Sequence, residues 1–315
     1  MSFRLFIYYC ALCGGFGAFI GWALGRWLVV LPIEHVPTEA ERILNTGLKG
    51  LLLGLGIAFL LGLLDALWNF SLSQFFSVLI RVITAVVIGS AGGLLGGIVG
   101  QWLVIKWDNT VLVVLGWILT GLLIGVSLGV FDLLSALLRN QETRGPIRKM
   151  INGLIGGTAG GVLGGVFYAY LGGFWISLFK DKPEESVWSP SSWGFVILGM
   201  CIGLLIALAQ VFLKEAWLKV EAGFRKGREQ ILSKQSITIG RAERCDIGLF
   251  GDAQVEKIHC RIVRKGNDYI LTDEGTASGT YVNDERVNGP RTLRSGDLIR
   301  LGRSILRFGE RAKRQ

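Results

Sequence analysis

Apolar positions dominate the first two-thirds of the chain, in six runs over 5–30, 47–68, 77–104, 111–138, 150–177 and 193–213. A helix needs roughly 20 residues to cross a bilayer, so this pattern predicts six membrane-spanning helices. Only Arg4 precedes the first run, and no small-x-small cleavage site follows it, so it is read as a retained span rather than a signal peptide. From Trp217 the pattern changes to short alternations: Trp217–Val220, Ile237–Ile239, Cys260–Val263, Tyr269–Leu271, Thr280–Val282 and Ile299–Leu301. Turn-forming groups such as Gly266-Asn267-Asp268, Asn288-Gly289-Pro290 and Ser295-Gly296-Asp297 separate them. Strands of this kind predict an all-β sandwich. The expected fold is an α-helical membrane bundle over 1–215 followed by an all-β domain over 216–315.

The apolar runs also look alike. Gly14-Gly15-Phe16-Gly17-Ala18-Phe19-Ile20-Gly21 aligns with residues 89–96 and 157–164, each with glycine at the first, fourth and eighth positions. In the even runs Gly54, Ala58, Gly62 and Asp65 match Gly121, Gly125, Gly129 and Asp132, then Gly199, Gly203, Ala207 and Gln210. A register shifted by four residues fits the last run nearly as well. The pattern is an internal repeat, three copies of a two-helix hairpin. Glycines three or four apart share a helix face and let backbones approach, the glycine-zipper style of packing in lipid. A pore or transporter is the sharper reading of such repeats, but it needs polar side chains at mid-span, and few are present.

Asp65, Asp132 and Gln210 are the polar exceptions, at equivalent repeat positions near one end of the even runs. Together they could ring a cation or proton; alternatively, Arg81 or Arg139 satisfies the carboxylates. Charge is concentrated elsewhere. Residues 216–315 carry 20 of the 33 Lys and Arg and a net +7 of the total +9. That surplus suits anionic headgroups, at roughly 1 kcal/mol per basic residue. No aromatic–basic pattern accompanies it, so nucleic acid is not expected as a partner. Seven basic residues flank the membrane on the N-terminal side and six on the other. The dense cluster from Arg139 to Lys149 and the acidic opposite loops place both termini in the cytoplasm, with a prokaryotic inner membrane as the expected location. Five cysteines, an odd number, argue against a disulfide framework, and the Cys10/Cys13 pair lies in an apolar run without other ligands, so no metal is expected.

Fixed points within the β region make it resemble a forkhead-associated (FHA) domain, a phosphothreonine-peptide recognition sandwich. Ile239-Gly240-Arg241 is similar to that family's Gly-Arg signature, and Val255 to Ile262 to its Ser-x-x-His strand. Asp273 to Asn283 is similar to its Gly-Ser-Thr-Asn-Gly-Thr-x-Val-Asn loop, and Ser295-Gly296-Asp297 through Leu301-Gly302 to its closing strand pair. The resemblance covers roughly 216–310 and does not extend to the membrane region. It implies a peptide- and phosphate-binding set of Arg241, Glu256, Lys257, Thr276 and Ser278, with Gly240, His259, Gly279 and Asn283 as structural positions. The chain departs from the family where phosphate would be held: Glu256 stands in place of a serine donor, and Ala277 and Ser278 in place of threonine and asparagine. A carboxylate repels a dianionic phosphate and has no hydrogen to donate. Two readings follow, a retained phosphothreonine site or a domain in which Glu256 pairs with Arg241 and partners bind without phosphate.

His259 and His35 have no nucleophile or metal partner at a useful spacing, and no nucleotide-binding, zincin or hydrolase motif occurs. No enzyme, catalytic residue or cofactor is expected. The expected function is membrane-anchored signalling through protein or phosphopeptide binding, which would recruit a cytoplasmic, Thr-phosphorylated partner; the alternative is a small channel or transporter regulated by the domain.

Overall fold

The computed structural model describes residues 2–29, 37–68, 75–138, 140, 143–178, 190–223, 226–232, 235–243, 245–266 and 268–311. Six helices come first: α1 (Phe3–Leu28), α2 (Glu39–Trp68), α3 (Phe75–Trp107), α4 (Val113–Leu138), α5 (Arg144–Leu178) and α6 (Pro190–Phe212). All six are long and apolar enough to cross a membrane. His35 and Arg139 lie outside the described residues.

Helices extend past the apolar runs where polar residues satisfy their ends. α2 starts eight residues before its run, because Thr38 and Glu41 form a capping box. The Thr38 amide donates to the Glu41 carboxylate at 2.7 Å, and the Glu41 amide to Thr38 Oγ1 at 3.3 Å. Before α4, the Asn109 side chain accepts the Val111 amide at 3.0 Å and starts a single 3-10 turn.

Each helix packs against its neighbours in sequence, and α1 packs against α6, so the six close into a ring. The buried interior comes mainly from the even helices, through Leu53, Ile57 and Leu61 of α2, Ile124 and Leu128 of α4, and Leu198, Ile202 and Ile206 of α6. Glycine makes the ring tight. A Cβ on Gly54 would collide with the Gly89 carbonyl, one on Gly121 with the Gly157 carbonyl, and one on Gly199 with the Gly14 carbonyl. These are the residues that the sequence alignment places at matching positions.

The carboxylates of Asp65 and Asp132 meet at one end of the bundle. Lys149 Nζ lies 2.7 Å from Asp65 and 3.1 Å from Asp132; Arg81 lies 2.5 Å from Asp132 and 3.7 Å from Asp65. Two cations and two anions thus share one partly buried site. Arg81 is the partner the sequence suggested, whereas Lys149 was not foreseen. Gln210 is buried, 7% exposed, on α6.

After α6 the described residues form a sandwich of eleven strands: β1 (Ala216–Ala222), β2 (Glu229–Ile231), β3 (Ser236–Gly240), β4 (Ile247–Gly248), β5 (Cys260–Lys265), β6 (Asp268–Asp273), β7 (Thr280–Val282), β8 (Glu285–Arg286), β9 (Arg291–Thr292), β10 (Leu298–Leu301) and β11 (Ser304–Glu310). One sheet has the order β2-β1-β11-β10-β7-β8 and the other β4-β3-β5-β6-β9. Alternating residues fill the space between them, among them Leu218, Val220, Ile239, Ile262, Leu271, Ile299, Leu306 and Phe308. β11, absent from the sequence reading, lies between β1 and β10 and supplies Leu306 and Phe308, both fully buried.

Sandwich and bundle are in contact. Glu215, at the junction, pairs with Arg148 of α5 and with Arg264 of β5, the latter at 2.6 Å. Arg148 also donates to the Leu213 carbonyl at 3.1 Å. The Phe3 amide donates to Glu229 at 2.8 Å, and Lys214 Nζ lies 3.8 Å from the Phe3 ring centre and 4.1 Å from that of Trp217.

Replacing Gly93 with leucine is expected to force α2 and α3 apart, because a Cβ there meets the Gly50 carbonyl. Overpacking of this kind costs about 1–3 kcal/mol or more. Val87→Leu, at a position 62% exposed on the same helix, is expected to leave stability unchanged. Thermal denaturation of the full chain in detergent compares the two. Equal stability for both variants would show that close backbone approach is not what holds the ring.

Candidate recognition site

One end of the sandwich gathers three segments, Arg241–Ala242 after β3, Gln254–His259 before β5, and Glu274–Gly279 between β6 and β7. Backbone bonds set the first two side by side. The Arg241 amide donates to the Glu256 carbonyl at 2.8 Å and the Ala242 amide to the Lys257 carbonyl at 2.9 Å. Gly240 is required at this crossing, since a Cβ there would meet the Lys257 carbonyl.

His259 fastens the second segment to the third. It is fully buried, and its Nδ1 accepts the Glu256 amide at 3.1 Å. Nε2 therefore carries the proton and donates toward the Gly279 carbonyl and Thr276 Oγ1, each at 3.3 Å. Asp273 organises the loop from below. Its carboxylate accepts the Gly275 and Thr276 amides at 3.0 and 2.8 Å and the Thr276 and Thr280 hydroxyls at 2.8 and 2.5 Å. Burial would raise the Asp273 pKa, but these donors outweigh it and hold the group below the usual carboxylate value. Sequence reasoning did not assign this role, although an aspartate two and three residues ahead of a Gly-Thr pair has the spacing of an Asx turn.

The residues expected to touch ligand are arranged as follows. Arg241, Glu256 and Lys257 are exposed, Ser278 is half-buried and Thr276 is buried. Thr276 points inward to Asp273 and His259 and so belongs to the scaffold. Ser278 Oγ donates to the Gln254 carbonyl at 2.6 Å, which ties the second and third segments together. Glu256 does not pair with Arg241. Its carboxylate instead accepts the Ala277 amide at 3.0 Å, and among the described residues the Arg241 guanidinium has no carboxylate partner. The expected pairing fails because a backbone N–H on the facing loop lies within reach of Glu256. An internal anion therefore occupies a loop amide, while a cation stands exposed beside it. Arg286 of β8 adds a third cation to Arg241 and Lys257, packed so closely on Gly279 (φ +71°) that a Cβ there would touch its guanidinium. Asn283, also at positive φ (51°), accepts the Leu298 amide at 2.9 Å and donates to Asp297 at 2.9 Å, closing the turn after β7.

Both cysteines of the sandwich, Cys245 and Cys260, are buried and form no disulfide. Cys245 Sγ lies 3.1 Å from the Lys257 carbonyl, and burial pushes the Cys260 thiol well up, leaving it inert.

The family model of the FHA domain matches residues 237–302. An oxoglutarate dehydrogenase inhibitor of Corynebacterium jeikeium is 36% identical over 93 residues, which are 30% of this chain and 63% of that protein. The FHA domain-containing protein FhaB of Mycobacterium tuberculosis is 25% identical over 124 residues, 39% of this chain and 79% of FhaB. A solved structure, described as a structural and functional analysis of phosphothreonine-dependent FHA domain interactions, is 29% identical, with 32% of this chain and all of that one covered and a TM-score of 0.29. This chain thus spans less than two thirds of the length of the first relative.

Because the Asp273 pKa is depressed in the folded state, its stabilising contribution is present above the unfolded value, near 3.9, and is lost as pH falls through the folded value. Asp273→Asn is expected to lower stability at neutral pH by about 1–3 kcal/mol, as buried donors lose their acceptor. It should also flatten the acid limb of a stability–pH profile. Calorimetric scans of the sandwich transition from pH 7 to pH 3 test both. An unchanged acid limb would assign the pH dependence to another carboxylate.

Proposed function

We propose, from the premise that the C-terminal sandwich is an FHA domain, that the protein is a membrane-anchored interaction module. In this reading the six helices sit in a prokaryotic inner membrane, both termini are cytoplasmic, and the domain brings a Thr-phosphorylated protein to the bilayer. The observation that carries it is the direction of docking. β5 has Arg264 against the bundle through Glu215, while its other end adjoins His259 and the recognition loops. Five residues of strand at ~3.3 Å each separate the two ends by roughly 17 Å, so the loops face away from the helices.

Phosphate contributes less to binding here than in the family pattern. Arg241 and Lys257 are exposed and available to a phosphate, but Glu256 sets a carboxylate where a hydroxyl donor is expected and takes up the Ala277 amide. The second reading, a channel or transporter, came from the internal repeats, and its polar candidates were Asp65, Asp132 and Gln210. Both aspartates already have Arg81 and Lys149 as counter-charges, which favours the recruiting role.

Calorimetric titration with paired phosphothreonine and threonine peptides tests the site. The unmodified domain should show a phosphate preference that Arg241→Ala removes. Glu256→Ser should increase it about tenfold, since one charge-assisted hydrogen bond contributes roughly 1.5–3 kcal/mol. No preference in either form would sink the phosphopeptide reading. Topology is tested separately, by labelling Ser295→Cys in intact cells with an impermeant thiol reagent. Protection is expected, and labelling from outside would reverse the orientation.

A further inference from the structure

The junction of bundle and sandwich collects four arginines: Arg144 and Arg148 at the start of α5, Arg264 near the end of β5, and Arg311 just after β11. Arg264, Arg311 and Arg144 are all close enough to Arg148 for their charges to act on it. One carboxylate, Glu215, pairs with two of them, Arg148 and Arg264, and Glu310 is near enough to act on Tyr269. The cluster keeps a positive surplus, and Arg144 and Arg311 are exposed.

Tyr269 is a second and independent observation. It is only 2% exposed and lies 5.7 Å from the Arg264 guanidinium, yet its hydroxyl is buried without a hydrogen-bond partner among the described residues. Arg264, Arg148 and Arg144 are near enough to influence it electrostatically. Buried hydroxyls are nearly always paired, so an unpaired one among arginines marks a place for an anionic acceptor. Two of the same arginines, Arg144 and Arg148, line a groove together with Thr143, Ile147 and Ile151. Ile147 and Ile151 are 42% and 50% exposed and lie one and two turns further along α5 toward the bundle's middle. Cations at the end of an apolar outward stripe match the division of a phospholipid into headgroup and chains.

We propose that this junction binds the phosphate of an anionic phospholipid headgroup, with Arg144, Arg148, Arg311 and the Tyr269 hydroxyl as donors and with Ile147 and Ile151 against the acyl chains. The inference rests on membrane insertion but not on phosphopeptide recognition. A bound lipid would span α5 and the sandwich, and so would tighten the docking that Glu215 begins.

The test uses the full chain in neutral phosphatidylcholine nanodiscs, with phosphatidylglycerol titrated in and retained lipid counted by native mass spectrometry. Carbonate extraction from cell membranes reports insertion by itself, so failure of the membrane reading is distinguishable from failure of the site. Saturable retention of phosphatidylglycerol is expected, weakened about tenfold by Arg144→Gln with Arg311→Gln, the scale of removing two headgroup contacts. Tyr269→Phe should weaken it several-fold without lowering the melting temperature. Arg294→Gln with Arg303→Gln, which removes the same charge elsewhere on the sandwich, should change nothing. Equal loss in that control pair would mean diffuse attraction and overturn the site, as would full retention in the junction variants. If inorganic phosphate competes completely at millimolar concentration while phosphatidylglycerol gives no further gain, the junction is an anion site and not a lipid site, which also overturns the proposal.

Discussion

Glu215 is the contact on which the arrangement of the molecule depends. It stands three residues after the last helix and immediately before the first strand, and its carboxylate is shared between Arg148 of the bundle and Arg264 of the sandwich. Arg264 is almost fully buried, so a cation there needs an anion close by, and removing one member of such a pair leaves an unpaired buried charge. The short connection and the shared carboxylate fix which face of the sandwich meets the helices. They also determine that the recognition loops lie at the far end and that the arginines of the two halves are brought together.

A similar economy of charge operates inside the bundle. In a bilayer, as the proposed function requires, apolar side chains would gain little from contact with one another, and close backbone approach and polar pairs would hold the helices together. Glycine supplies the first along every neighbouring helix pair of the ring. Asp65, Asp132, Arg81 and Lys149 supply the second, drawing α2, α3, α4 and α5 together at one end. Lys149 and Arg148 are adjacent on α5. One reaches into this cluster and the other to Glu215, so the start of that helix links the polar end of the bundle to the sandwich.

In the recognition loops, the scaffold is intact while the ligand-facing chemistry has changed. His259, Thr276, Asp273 and Thr280 form a continuous set of hydrogen bonds beneath the loops, and Asn283 separately closes the turn after β7. Above that set, Glu256 turns to a backbone amide. A carboxylate acceptor at a loop N–H satisfies that donor within the fold, so Glu256 is accommodated without disturbing the scaffold.

How much of this could be read from the sequence follows the range of the interactions. The six helices and the change to alternating strands were legible because hydrophobic periodicity is local and needs no partner to be recognised. The motifs around Arg241, His259 and Asn283 were legible for the same reason, as were the glycine faces, whose spacing already places them on one side of a helix. β11 was missed although it alternates like the others and forms a hairpin with β10; its other pairing, with β1, joins Glu310 to Ala216 at the far end of the domain. The expected Arg241–Glu256 pair was a guess about two side chains on adjacent segments, and the competing Ala277 amide enters from a third. Lys149 as partner of two aspartates, and Tyr269 among arginines from both halves, are likewise products of tertiary structure. Hydrogen bonds and ion pairs are short-ranged and directional, so which donor meets which acceptor is decided only when folding has brought distant segments within about 3 Å.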